Sequence, residues 1–307
     1  MIETNDLSKQ FGEFWAVDGI NLSVKPGQVL ALLGQNGAGK TTTVRLLTSL
    51  LSPSRGTASI HGYDVVKEPD KVRSVVGVLT EQHGLYLRMT GMDYLDFFGQ
   101  VYQIDAATRV SRSHRLLEIF GLERAASQKI GEYSKGMRQK LALARTLIHE
   151  PPVLLLDEPT SAMDPKSSRL VRDSISSLRS KNRAIIICTH NLAEAEELAD
   201  QIAIVYRGRI LISGAVDELK LRILGPVEYE VKISGDWPAK PIKLPAGVKL
   251  LENINHTRRF QVEDPSVANP RLLKELLKKN VDVISFQEVP RTLEQVYLKV
   301  MEQVHNE

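Results

Sequence analysis

QVLALLGQNGAGKTT, residues 28–42, is the stretch that decides the fold. Residues 28–33 form a short apolar run, which predicts a buried parallel strand. The residues after it match GxxxxGK[ST], a pattern in which main-chain amides wrap around phosphate oxygens at the start of a helix. A glycine turn with an exposed lysine is the alternative. The position of the motif between a strand and the helical run VRLLTSLL favours a phosphate loop.

This loop supplies most of the candidate nucleotide-binding residues. Lys40 is expected to reach the β and γ phosphates, and the Thr41 hydroxyl to ligate Mg²⁺. Thr42 is expected to help hold the α-phosphate. The candidate binding residues of the segment are Gly34, Gln35, Asn36, Gly37, Ala38, Gly39, Lys40, Thr41 and Thr42.

A second apolar run, VLLLDE, ends on two carboxylates. Asp157 falls at the carboxyl end of a predicted buried strand, where a Mg²⁺-associated acid is needed beside a phosphate loop. Glu158 can turn toward the γ-phosphate and orient an attacking water by accepting its proton. Taken alone, the pair could equally be a solvated strand end. Beside a phosphate loop, it predicts hydrolysis of the bound nucleotide.

The rest of the chain predicts an α/β fold with a largely parallel sheet. Between residues 89 and 150, strand signals give way to apolar residues at helical spacing, as in Tyr94, Phe97, Phe98 and Val101, which predicts a helical insertion. Helical stretches separate most of the predicted strands. The further buried-strand patterns lie at residues 75–79, 153–156, 184–188 and 202–206.

A second domain is predicted after Gly225 and Pro226, where a new alternation begins with VEYEVKI. Thr292, followed three residues later by Gln295, supplies a capping box for the last helix. We therefore expect one domain at residues 1–220 and a small accessory α+β domain at residues 225–307. Its strand candidates lie at 227–233, 259–262 and 281–288, and its helices at 270–279 and 293–303.

Composition narrows the possible classes of function. A length of 307 residues suits one large and one small domain, and the formal charge of +3 is too small to suggest a surface that coats nucleic acid. No nucleic-acid partner is expected. The single cysteine, Cys188, lies in the apolar run AIIIC and is interpreted as a buried reduced thiol.

Nothing in the sequence predicts a membrane span or an export signal. The apolar runs are far shorter than the roughly 20 residues that cross a bilayer, and MIETNDLSKQF has no signal-peptide pattern. We therefore expect a cytoplasmic protein whose membrane role comes through a partner.

Four further segments complete a pattern. They are YSKGMRQKLALARTL at 133–147, DEPTSAMDP at 157–165, TH at 189–190, and the pair Glu81 and Gln82. Together with the phosphate loop, these segments resemble the ATP-binding-cassette (ABC) ATPases over roughly residues 1–215. The resemblance implies a P-loop cassette with a mainly parallel sheet, an antiparallel β subdomain and a helical subdomain at about 89–150. It also implies ATP and Mg²⁺ as cofactors.

In that family YSKGM would be the signature loop, a variant of LSGGQ that keeps Ser134 and Gly136 and has Lys135 in place of a glycine. From the residues alone, a serine and a glycine that open a helix could bind an anion or could simply cap the helix. The resemblance implies that this loop acts on ATP held by a second ATPase subunit. A dimer, taken as a homodimer, would then be required, with Asp164 of SAMD at its interface.

The resemblance makes His190 the switch residue at the γ-phosphate, catalytic together with Lys40 and Glu158. A structural histidine at a strand end is the alternative. Phe11, in KQFG, resembles the family's adenine-stacking aromatic residue. A core phenylalanine is the alternative there, and Trp15 is a second candidate for stacking.

One position departs from the family pattern. The glutamine that senses γ-phosphate and Mg²⁺ is replaced by Glu81, with Gln82 one residue later. Either side chain could join Thr41 and Asp157 as a metal ligand. The loop beyond, HGLYLRMTGMDYL, is where the family receives a helix from its membrane partner.

The signature variant and the RTLEQVYLKV helix of the tail resemble the drug-resistance and antibiotic-export ATPases. That resemblance implies the energy subunit of an exporter, held at the inner face of the cell membrane by a separate permease. Its cargo would be drugs, antibiotics, other hydrophobic or amphipathic compounds, or ions. The alternative is a soluble ABC ATPase that acts on nucleic acid or ribosomes, although such relatives carry two cassettes or a long coiled coil. A P-loop nucleotide kinase would have no reason to carry YSKGM, SAMD and TH.

Overall fold

The computed structural model describes residues 1–80, 84–161, 163–238 and 241–306. The chain divides into two compact units, Met1–Val216 and Asp217–Glu307. The strands of the first unit are β1 (Ile2–Phe11), β2 (Phe14–Val24), β3 (Val29–Leu33), β4 (Arg55–Ile60), β5 (Tyr63–Asp64), β6 (Val76–Leu79), β7 (Val153–Asp157), β8 (Ala184–Thr189), β9 (Gln201–Tyr206) and β10 (Arg209–Ala215). Its helices are α1 (Lys40–Leu47), α2 (Pro69–Val75), α3 (Gly91–Val101), α4 (Ala106–Ile119), α5 (Lys135–Leu147), α6 (Pro165–Ser177) and α7 (Leu192–Leu198).

The central sheet has the strand order β10-β9-β3-β8-β7-β6, and all neighbours are parallel except β10, which runs antiparallel to β9. Every residue of β3, β7 and β8 is buried, as expected for strands covered on both faces. The predicted parallel strands are confirmed to within one residue at each end. In the register of the sheet, Leu33 pairs with Thr189, and Asp157 with Cys188, so these strand ends share one edge.

A second, antiparallel sheet has the order β2-β1-β4-β5. The resemblance implied such a subdomain, and the structure confirms it, although no strand within it was located from its residues. The pairing of β1 with β2 contains three register shifts between Thr4 and Gln10, which interrupt the regular alternation of buried and exposed side chains. A search for period-two patterns therefore finds little signal here.

The predicted helical insertion is formed by α3, α4 and α5. Thr90 and Asp93 make a capping box at the start of α3, with both reciprocal bonds present. Tyr94 and Leu117 are fully buried in a core that also contains Leu156 of β7. The insertion is therefore packed as part of the hydrophobic core of the first unit.

The second unit has a four-stranded antiparallel sheet of order β12-β13-β11-β14. Its strands are β11 (Val227–Ile233), β12 (Val248–Ile254), β13 (Thr257–Val262) and β14 (Val283–Glu288), and its helices are α8 (Val216–Leu224), α9 (Pro265–Lys278) and α10 (Leu293–Asn306). The reciprocal hydrogen bonds of Thr292 and Gln295, at 3.2 and 3.3 Å, confirm the predicted capping box before α10.

Two elements of this unit differ most from the prediction. Edge strand β12 was missed because nearly all of its side chains are exposed, so the sequence shows no buried alternation there. Helix α9 begins at Pro265 instead of the predicted residue 270. Asp264 caps the helix by accepting the N–H of Ser266, and a proline at the first position suits the helical φ angle.

His149, just after α5, connects the helical insertion to the parallel sheet. Its ring stacks on Tyr102 at 3.8 Å between ring centroids, and its Nε2 lies 3.2 Å from the carbonyl oxygen of Val76. Burial lowers the pKa of His149 to about 4. The folded protein therefore holds this ring in its neutral form.

This lowered pKa predicts a loss of stability in mild acid. An unfolded histidine takes up its proton near pH 6.5, so the unfolded chain binds the proton first as the pH falls from about 6.5 toward 4. Between pH 7 and 5 we expect the free energy of unfolding to fall by about 2 kcal/mol more in the wild type than in His149→Phe, which keeps a ring but cannot be protonated. Urea denaturation at both pH values measures the difference. An identical pH dependence of the free energy of unfolding in the two proteins would contradict the lowered pKa of His149.

Candidate nucleotide site

The phosphate loop joins β3 to α1 and packs tightly against its neighbours. The N–H of Gly34 donates to the carbonyl oxygen of Thr189 over 3.2 Å. Gly39, at the N-cap of α1, has a φ of 107°, and a Cβ there would collide with the carbonyl oxygen of Ala16 on β2. A glycine is therefore required at position 39 by both backbone conformation and space.

Lys40 is only 5% exposed and lies folded over the loop. Its Nζ donates to the carbonyl oxygens of Gly34 at 2.6 Å and Gln35 at 3.2 Å. The same atom lies 3.2 Å from Oε1 of Glu158. The ammonium group is thus held at the loop by three oxygens.

Glu158, the residue after β7, joins the lysine to the histidine. Its Oε2 lies 2.8 Å from Nδ1 of His190, while Oε1 faces Lys40. The backbone φ of Glu158 is 50°, a left-handed conformation that is uncommon outside glycine. Its N–H donates to the carbonyl oxygen of Cys188 over 2.8 Å. The structure therefore gathers Lys40, Glu158 and His190 at the phosphate loop.

Asp157 ends β7, where it is buried beside Cys188 of β8. Burial raises the pKa of the Cys188 thiol, so the thiol is protonated, in keeping with the buried reduced cysteine predicted from the sequence. Thr41 and Thr42 lie in the first turn of α1, which packs against β7. The hydroxyl and carboxylate groups proposed for the metal therefore stand on two neighbouring elements.

These groups suit Mg²⁺, which prefers oxygen ligands and keeps several waters and phosphate oxygens in its shell. The Thr41 hydroxyl and the Asp157 carboxylate are ligands of that kind. Among the described side chains, no three His, Cys, Asp or Glu residues form a metal-binding group of their own. Glu81 and Gln82, the further metal candidates, lie outside the described residues.

Ser134 and Gly136 of the signature loop, and Asp164, make contacts separate from those of Lys40, Glu158 and His190. Ser134 is exposed and caps α5, as one of the two interpretations predicted. Its oxygen accepts the N–H of Met137, and a hydroxyl that accepts in this way can also donate its hydrogen. Gly136 lies against Ser167 and Met163. Asp164 caps α6, and hydrogen bonds from Ser167 lower the pKa of its carboxyl group.

Phe11 lies at the end of β1 with 48% of its surface exposed, so the interpretation as a core phenylalanine is wrong. The ammonium of Lys9 lies 5.4 Å from the centroid of its ring. Trp15, the second stacking candidate, is half-buried, and the guanidinium of Arg55 lies 5.5 Å from its ring centroid. Of the two, Phe11 offers more open ring surface.

Some residues around the site were missed from the sequence. Gly208, in the turn between β9 and β10, donates its N–H to the carbonyl oxygen of Ala38 over 2.9 Å and so supports the phosphate loop. The only signal was a glycine in YRGRI, which predicts a turn but no contact.

Glu194 was missed for a different reason. Asn191 and Glu194 have the spacing of a helix start, which predicts an exposed first-turn acid. In the structure Glu194 is 1% exposed, and its Oε1 accepts a hydrogen bond from Thr160 at 2.8 Å. Burial raises the pKa of its carboxyl group, against the effect of hydrogen bonds from Thr189 and Thr160.

A parallel sheet whose strand ends present a glycine-rich phosphate loop, a buried lysine and paired carboxylates defines the class of P-loop nucleoside triphosphatases. Residues 17–161 match the ABC transporter family. Residues 214–301 match a second family, described as "ATP-binding protein DrrA1-3-like, C-terminal domain".

Known proteins resemble the chain over most of its length. The daunorubicin resistance ATP-binding protein DrrA3 of Streptomyces coeruleorubidus is 34% identical, and the match covers 97% of this chain and 94% of that one. The Nod factor export ATP-binding protein I of Ralstonia nicotianae is 33% identical, with 98% and 93% covered. A solved ATP-binding subunit of an ABC transporter superposes with a TM-score of 0.67 at 31% identity, covering 73% of this chain and 94% of the other.

The chain therefore belongs to the ABC transporter family. Like the family's other ATP-binding subunits, it binds nucleotide and is an ATPase. In the parts of the chain that the structure describes, no helix combines the length and apolar character needed to cross a membrane.

Proposed function

We propose that this chain powers an exporter, hydrolysing ATP to drive a separate membrane permease that moves drugs, antibiotics, other hydrophobic or amphipathic compounds, or ions. The observation that carries the hydrolytic part is the contact of Glu158 with both Lys40 and His190 at the phosphate loop. The export part rests on the relatives, one named for daunorubicin resistance and another for Nod factor export.

ATP binding begins with exchange of partners at Lys40. Phosphate oxygens of ATP enter the loop of residues 34–42, where main-chain amides and the start of α1 favour negative charge. The γ-phosphate competes with Glu158 for the Lys40 ammonium. The Glu158 carboxylate is then released to accept a proton from a water molecule. His190 keeps this carboxylate oriented toward the γ-phosphate.

Thr41 and Asp157 hold the metal in this proposal. When bound, Mg²⁺ neutralises charge on the β and γ phosphate oxygens. Thr41 contributes its hydroxyl from α1, and Asp157 its carboxylate from the end of β7. Phe11 offers its exposed ring to the adenine.

The working unit in this proposal is a homodimer. Ser134 accepts the N–H of Met137, and Gly136 lies against Ser167 and Met163. These contacts involve neither Lys40 nor Glu158, which supports a role on ATP held by a partner chain. Ser134 and Lys135 are exposed at the start of α5, and the N–H groups of a helix start are donors that a γ-phosphate could accept. Asp164, exposed at the start of α6, belongs to the same interface.

Mixing two defective chains tests this shared site. Ser134→Ala lacks the donated hydroxyl and Glu158→Gln lacks the base, so we expect each homodimer to be at least about tenfold slower than wild type. A mixed dimer regains one complete site, because one chain supplies Glu158 and the other Ser134. An equimolar mixture should therefore reach up to about a quarter of wild-type turnover. Activity no higher than the average of the two separate variants would contradict a site shared between chains.

The permease contact is proposed at the start of the helical subdomain. Tyr86, Leu87 and Phe97 are exposed there, and the rings of Tyr86 and Phe97 lie edge to face at 5.7 Å between centroids. Exposed aromatic side chains that cluster in this way are typical of a protein-binding surface. This contact would hold the chain at the cytoplasmic face of the membrane.

Copurification tests the partner. We expect tagged wild-type chain to recover a polytopic membrane protein, and Tyr86→Asp to lose most of it because the charge must be desolvated at the contact. Leu277→Asp, at a somewhat more exposed apolar site in the second unit, serves as the control and should retain the partner. Recovery of ribosomes or nucleic acid in place of a membrane protein would favour the soluble ABC ATPase.

A further inference from the structure

Two buried polar side chains hold the residues that follow Glu158. Gln139 of α5 is 6% exposed, and its Nε2 donates to the carbonyl oxygen of Pro159. On the next residue, the Thr160 hydroxyl donates to Glu194 of α7 over 2.8 Å. The segment after the proposed base is therefore hydrogen-bonded to one side chain from each of two helices.

The backbone of Glu158 needs such support. Its φ of 50° is unfavourable for a residue with a Cβ, and a conformation of this kind persists only where the surroundings enforce it. The N–H of Glu158 bonds to Cys188, and its carbonyl oxygen accepts the N–H of Ser161 at 3.2 Å. Gln139 adds a restraint one peptide further along. A small shift of Pro159 would rotate the Glu158 carboxylate relative to Lys40.

Gln139 also belongs to the helix that begins at the signature loop. It lies five residues after Ser134 on α5, a separation of roughly 8 Å along the helix axis. A helix transmits small displacements as a nearly rigid body over this length. Movement of the signature end of α5 would therefore displace the Gln139 amide, and the amide acts directly on Pro159.

We propose that Gln139 is a positioning residue that sets the orientation of Glu158 from the signature helix of the same chain. This inference rests on the proposed function, in which Glu158 is the base and Ser134 serves the ATP of the partner chain. In this proposal Gln139 acts through Pro159 and Glu158 and not on the nucleotide directly. It makes the base of one site depend on the position of the helix that serves the other site.

A near-isosteric variant tests the proposal. Gln139→Met fills similar space but has no N–H to donate, and Gln139→Asn keeps the amide on a side chain one methylene shorter. We expect Gln139→Met to lower kcat for ATP about 10- to 100-fold through misplacement of the base, with KM and nucleotide affinity within about threefold of wild type. Gln139→Asn should show the same split and gives a second test if Gln139→Met does not fold.

The control is Thr146→Val, on the same helix. Thr146 is also buried, but its hydroxyl donates to the carbonyl oxygen of Leu143 within α5. A general disturbance of α5 would slow this variant too, whereas a specific role of Gln139 leaves its kcat within about twofold of wild type.

A double-mutant cycle separates positioning of Glu158 from other effects. If Gln139 acts through Glu158, Gln139→Met should slow single-turnover hydrolysis at least about tenfold in the wild-type background but less than about twofold in Glu158→Gln. Equal effects in both backgrounds, an unchanged kcat, or a loss confined to KM would overturn the proposal. A wild-type chain without ATP turnover would instead refute the proposed function, so the two failures are distinguishable.

Discussion

Glu158→Gln is expected to lower the turnover number for ATP by about 10²- to 10⁴-fold and to leave nucleotide affinity equal to or higher than that of wild type. The loss follows from removing the proton acceptor for the attacking water, whose contribution as a general base has this size. Retained affinity follows from the contact with Lys40, because a neutral amide competes with phosphate for the ammonium less well than a carboxylate.

Steady-state phosphate release and a titration with a fluorescent ATP analogue measure the two effects separately. Glu68→Gln is the matched control, since Glu68 pairs with Lys71 at 2.9 Å on the surface of the same unit. We expect this control to hydrolyse ATP within about twofold of wild type, as is usual for exposed ion pairs. Normal turnover in Glu158→Gln would remove Glu158 from its role as base.

Lys40→Ala is expected to lower both ATP affinity and turnover, with turnover falling about 10²- to 10³-fold. The ammonium stabilises charge that develops on the phosphate oxygens, and the loss of one such positioned donor has an effect of this size. The substitution also leaves the nearly buried Glu158 carboxylate without its cation. Electrostatic repulsion between that carboxylate and the γ-phosphate then adds to the loss of binding.

Lys71→Ala is the matched control for Lys40→Ala. It removes a lysine that pairs with a carboxylate on the surface, whereas Lys40 pairs with a buried carboxylate. Its ATP affinity and turnover should match wild type. For Lys40→Ala, the same titration and phosphate-release assay apply, and wild-type values in both would count against a phosphate-binding lysine.

The sequence was informative where a physical requirement leaves few residue choices. Buried parallel strands need unbroken apolar runs, so β3, β7 and β8 were located almost to the residue. The antiparallel sheet and β12 were not found in this way. Their strands are irregular in register or exposed, and their residues therefore show no clear alternation.

The residues of the candidate site also differ in whether the sequence predicted them. Lys40 and Glu158 were located because glycine-rich and acidic motifs follow predicted strands, and His190 was located through the family resemblance. The structure brings the three together. Gln139 and Glu194 were not located, because a buried hydrogen bond between distant segments has no local pattern. Each looked like an ordinary polar residue on a helix, and only the tertiary packing reveals its contacts.

A rapid-quench measurement of a single ATP turnover, made on the wild-type chain with the proposed membrane partner, tests most directly whether Glu158 activates water beside a metal-bound triphosphate. With Mg²⁺ present, we predict that bound ATP is converted to ADP and phosphate, and that chelation of Mg²⁺ or the Glu158→Gln substitution slows this conversion at least about 100-fold. Failure of the wild-type chain to bind ATP would contradict the account. Conversion at the untreated wild-type rate after chelation of Mg²⁺ or in Glu158→Gln would contradict it as well.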